Sequence, residues 1–127
     1  NVPAAILIGL GAGVFCYGAI HLKTRLRIDD ALDVWGVHGV GGIWGALATG
    51  LFATTAVNAA GADGLLYGNP RQLLVQFIAV AVVASYAAAV TWVILKVLAL
   101  TVGLRVQEHE ERVGLDASQH GEVAYQI

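Results

Sequence analysis

An all-α membrane protein is the fold class this 127-residue sequence predicts, and three observations carry it. Hydrophobic residues make up 57% of the chain and charged residues 13%, with a mean hydropathy of +0.72, too apolar and too sparsely charged for an ordinary water-soluble domain. The apolar residues gather into three long runs, at about 2–22, 31–52 and 72–100. Each can cross the ~30 Å hydrocarbon core of a bilayer as a helix, the form that satisfies every backbone polar group within one segment. The charges are confined almost wholly to short stretches between and after these runs. A net charge of −2 without a basic patch gives no reason to expect nucleic acid as a partner.

The first run, residues 2–22, has Pro3 near its start, where the missing N–H is harmless, and His21 at its end. Gly9 and Gly13 fall four apart, which predicts a face for close helix approach. Cys16 is the single cysteine, so no intramolecular disulfide forms. Lys23, Arg25 and Arg27 follow in a short connection at 23–30, and such a basic cluster marks the cytoplasmic side of a membrane. Asp29 or Asp30 can then cap the second run, where a carboxylate also complements the helix dipole.

The second run, DALDVWGVHGVGGIWGALATGLF from Asp30, organises the chain. Its midpoint falls near Gly41 or Gly42, which puts His38 about one turn, roughly 5 Å, from the membrane midplane. An ionisable side chain there needs a partner or a cavity. Gly41 with Gly45, and Gly42 with Ala46 and Gly50, form rows of small residues, so the helix is expected to be central and packed on several sides. Residues 53–71 mix Gly, Asn, Asp and Pro with one basic residue, which fits an external loop. The third run extends about 43 Å if helical throughout, so it tilts or projects, with Lys96 snorkelling near its inner end.

After three crossings the polar tail, residues 105–127, falls on the side of the basic connection and is expected to be cytoplasmic. Arg105 to Arg112 can extend the last helix, Gly114 can end it, and Asp116 can cap a further turn. Glu108, His109, Glu110 and Glu111 lack the spacing of a metal motif, and no metal or other cofactor is expected. The sequence has no methionine and enters apolar sequence directly from Asn1, so it reads as the C-terminal end of a longer membrane protein.

Taken alone, His38 leaves four readings open. It can hydrogen-bond to a neighbouring helix, ligate a metal, catalyse within the membrane, or line a pore as a polar stop that both donates and accepts. The metal reading lacks a second ligand at helical spacing, and the catalytic reading lacks a recognisable nucleophile, so no enzyme is expected.

The stretches DDALDVWGVHGVGGIWGALATGLFA, GLLYGN, TVGLRV and GLDASQHGEVAY resemble the last three of eleven membrane helices and the tail of the ammonium transporter family. The resemblance covers essentially the whole chain. It implies ammonium or ammonia as substrate, a homotrimer with one pore per subunit, and two hydrogen-bonded pore histidines. His38 matches the second of these; the first would lie on an earlier helix. It also implies Val34 as pore-lining, Asp33 as part of the cytoplasmic vestibule, and a PII-type signal protein docking at the cytoplasmic face. Gly41, Gly42 and Gly45 are the expected helix-packing positions, and Arg105, Gly114, Asp116 and His120 the expected regulatory ones. An ammonium sensor, in which this domain is joined to a signalling module, and a purely structural membrane segment are the alternatives.

Overall fold

The structure, a computed structural model, describes residues 1–123 and 125; positions 124, 126 and 127 of the expected tail lie outside the described residues. Helix is the only regular structure among the described residues, so the all-α class holds. Contacts divide the chain into two units, Asn1–Ser85 and Tyr86–Ile127.

In the first unit, helix α1 runs over Val2–Leu26. The Asn1 side chain accepts from the Ala4 N–H at 3.0 Å to cap it, and Pro3 sits in the first turn. The helix continues four residues beyond the expected end at 22, since nothing between Lys23 and Leu26 breaks a helix. It stops where Arg27 turns left-handed, at φ 54. Of the four glycines on α1, only Gly11 has, among the described residues, a neighbour close enough to obstruct a side chain. A Cβ there would lie 2.4 Å from the Trp44 ring, whereas Gly9 and Gly13 have nothing within 4 Å. The close approach in this chain therefore runs through Gly11, between the two positions that sequence spacing singles out.

The second apolar run begins its helix later than Ala31. A π-turn, Trp35–Val40, leads directly into α2, Gly41–Phe52. Together they are 18 residues long, about 27 Å at the α-helical rise. The connection that follows is folded tightly: the Gly64 N–H donates to the Ala53 carbonyl at 2.8 Å, and a Cβ on Gly64 would meet the Gly50 and Leu51 carbonyl oxygens at 2.7 Å. Thr55 and Asp63 close the loop: the Thr55 N–H donates to the Asp63 carboxylate at 2.7 Å, and its hydroxyl lies 3.1 and 3.2 Å from the two carboxylate oxygens. A short 3₁₀ turn, Leu65–Tyr67, then delivers the chain through Asn69 to Pro70.

Helix α3, Pro70–Thr101, is 32 residues long and buries none of them within this chain. Both α1 and α3 are long and apolar enough to cross a membrane. Among the described residues, buried apolar side chains are few (Ala4, Ala19 and Ala48), while long ones such as Leu10, Val14, Val83 and Trp92 are exposed. So large an uncovered apolar surface suits lipid or neighbouring helices rather than water.

In the second unit, Lys96 of α3 places its ammonium 5.8 Å from the centroid of the Trp92 ring. Arg105 to Arg112 does not extend α3. The last α-helix, α4, is separate and spans Glu108–Val113. The Gln107 N–H donates to the Glu110 carboxylate at 2.9 Å to start it, and Gly114, at φ 101, ends it. A second π-turn, Asp116–His120, follows; its cap is Leu115, so Asp116 opens the turn rather than capping it by its side chain.

Candidate functional site

The site is built from the end of α1 and the start of the second apolar run. The Asp30 carboxylate accepts from the Val34 N–H and from the Trp35 N–H, each at 2.9 Å. These are orphan donors at a helix start, and a carboxylate there satisfies them while meeting the positive end of the dipole. Asp33 between them holds φ 55, a left-handed backbone that a non-glycine residue adopts at a cost of about 1–2 kcal/mol. Lys23 reaches over from α1, donating to the Asp30 carbonyl at 2.6 Å and pairing with the Asp33 carboxylate. Helix therefore starts at Val34 and Trp35, not at Ala31.

The π-turn follows immediately. With more residues in each turn, it brings Gly36 and Gly41, five apart, against α1. A Cβ on Gly36 would sit 3.0 Å from Ile20 Cγ1, and one on Gly41 would sit 3.0 Å from Cys16 Sγ. The Cys16 thiol also points at the Val37 carbonyl, at 3.6 Å. One turn further, the Trp44 Nε1–H donates to the Ile8 carbonyl at 2.8 Å, and its ring lies 4.7 Å from that of Phe15. This seam fixes the second run on α1 by small residues at one end and a tryptophan at the other.

His38 lies in the middle of the π-turn and is exposed. Among the described residues no side chain or backbone group meets its ring at hydrogen-bonding distance. Single π-turns inside helices recur at functional positions because they shift side chains off the regular helical rows. Val34, one turn earlier, is also exposed, whereas Asp33 is held by Lys23. Gly41 packs on Cys16; a Cβ on Gly42 or Gly45 would meet nothing within 4 Å among the described residues. Gly11 and Gly36 belong to the arrangement without being expected from the sequence as site residues, and Lys23, expected only as part of a basic connection, belongs to it through Asp30 and Asp33. For Gly36 the signal was its five-residue spacing to Gly41, which α-helical rows hide.

In the tail, Arg105 grips Glu111 with two contacts of 2.9 Å, and Arg112 pairs with Glu108 one turn earlier on α4. The Arg105 contact holds the Glu111 carboxyl below its usual range. The Ser118 hydroxyl donates to the Gly114 carbonyl at 2.8 Å, and the Gln119 amide to the Glu110 carboxylate at 2.7 Å. These contacts join α4 to the second π-turn, while Asp116 and His120 remain exposed on it.

The model of the Ammonium Transporter Family matches residues 1–125. Ammonium transporter Amt1 of Archaeoglobus fulgidus is 50% identical over 98% of this chain, and an ammonium transporter of Bacillus subtilis is 50% identical over 97% of it. Ammonium transporter 1 of Dictyostelium discoideum is 46% identical over 98%. The chain spans 32%, 31% and 26% of these three relatives, respectively. With its whole apolar framework inside that match, the chain belongs to the ammonium transporter family.

Proposed function

We propose that this chain supplies the last three membrane helices and the cytoplasmic tail of an ammonium transporter, and that His38 lines its pore. Residues 1–104 would form the membrane part and residues 105–127 the tail. The observation that carries the reading is His38: an exposed imidazole without a partner among the described residues, on a π-turn inside an apolar run. Left in hydrocarbon, such a group is costly; in a lumen it has work to do.

An ammonium ion entering a narrow apolar path loses its hydration at great cost, while neutral ammonia crosses far more easily. A neutral imidazole accepts from an ammonium or ammonia N–H and can take up or relay the proton. The mechanism proposed is capture of ammonium outside, deprotonation, and passage of ammonia past His38 and Val34 towards a vestibule that includes Asp33. Gly42 and Gly45, open in this chain, would pack against helices contributed by the rest of the transporter. A homotrimer in the cell membrane, with the 23–30 connection and the tail cytoplasmic and the 53–71 loop external, completes the reading. The tail, through Arg105, Gly114, Asp116 and His120, would receive a PII-type signal protein.

The test is ammonium flux in liposomes reconstituted with the full-length protein. His38→Ala should assemble normally and lose most of its flux or its selectivity. Flux and selectivity equal to those of the unaltered protein would refute the reading.

A further inference from the structure

Lys23 is the buried charge among the described residues, with 9% of its surface exposed. A lysine at the end of a membrane helix ordinarily extends its ammonium to water. Here the ammonium turns inward to the Asp30 carbonyl and the Asp33 carboxylate, the two ends of the turn that precedes the π-turn. The same Asp30 caps Val34 and Trp35 with its carboxylate. The Asp33 carbonyl accepts from the Val37 N–H at 2.9 Å, beside His38. One cation on α1 thus ties down both residues that decide where the next helix starts. Asp33, at φ 55, holds a backbone that needs such outside support.

Where a helix starts decides which way its side chains face, because each residue of slip turns the set by about 100°. We propose that Lys23 is a positioning residue for His38: its ammonium locks the Asp30–Asp33 turn, and the locked turn sets the direction of the imidazole. This rests on the reading of His38 as pore-lining. Removing the ammonium frees Asp33 to leave the left-handed region, and the turn, the cap and the π-turn shift together. A misdirected imidazole still sits in the helix but no longer meets its substrate.

The experiment uses the full-length transporter in liposomes, with flux normalised to assembled protein and the imidazole ¹⁵N signals of the histidines recorded on the same samples. Loss of signals in His38→Ala assigns those of His38. Lys23→Met is expected to lower flux about tenfold or more, as misplacement of a working group does, and to move the His38 signals. Unchanged flux in Lys23→Met, or reduced flux with unmoved His38 signals, overturns the positioning role while leaving the pore reading intact. Full flux in His38→Ala takes both readings down together. Should Lys23→Met fail to assemble, Asp33→Asn serves in its place under the same criteria, since Asn tolerates the left-handed backbone and removes only the charge.

Discussion

At the scale of single residues, the packing of the first unit turns on Gly11. The Trp44 ring lies where a Cβ at that position would go, and the indole is already committed to the Ile8 carbonyl. Gly11→Ala must displace the ring or α1, a change that costs about 1–3 kcal/mol in a filled interior. The full-length protein carrying it should melt at a lower temperature in detergent; an unchanged melting temperature would contradict the contact. Asp63 makes a second test in the loop. The Thr55 N–H, its largest influence, holds the Asp63 carboxyl below the ordinary value, and the Thr55 and Thr54 hydroxyls add to this. A depressed folded-state pKa means that the loop clip is fully present above the unfolded value and is lost as pH falls through the folded one. The Thr55 amide resonance should therefore titrate with a midpoint below that of an ordinary aspartate; a midpoint at or above it would show the clip is not formed.

At the scale of elements, hydropathy made three apolar runs legible, and the structure builds helix in each. The start of the second was not legible. Its position depends on a buried Lys23, which in the sequence looks like one of three solvated bases, and on a left-handed Asp33, which no apolar periodicity reveals. The π-turn was hidden for a related reason: Gly36 and Gly41 share a side only if the turn between them takes in an extra residue. His38 stands out in the sequence as an ionisable residue in an apolar run, whereas its lack of a partner among the described residues shows only in the fold. In the tail, Gly114 was legible as a stop, and its φ of 101 explains why. Gly114→Asp places a side chain in a backbone region L-residues avoid. It should separate α4 from the second π-turn and reduce transport while the membrane helices still assemble. Transport and signal-protein binding that survive both this change and deletion from Gln107 onward would remove any regulatory role from the tail.

At the scale of the molecule, the uncovered apolar surface of α1 and α3 calls for lipid or further helices, and the family supplies a reason for both. Topology is testable on the full-length protein with Cys16 replaced. An impermeant thiol reagent applied outside intact cells should label Ala62→Cys but not Thr24→Cys or Ser118→Cys; labelling of the latter two would reverse the assigned orientation. The central claim is that the exposed ring of His38 faces a conduction path rather than lipid. An experimental structure of the full-length transporter in a lipid bilayer tests it most directly. The account predicts the His38 ring on a lumen reaching towards both membrane faces, with a histidine of an earlier helix at hydrogen-bonding distance, about 3 Å. A His38 ring turned to lipid, or sealed among packed helices with no lumen beside it, would contradict it.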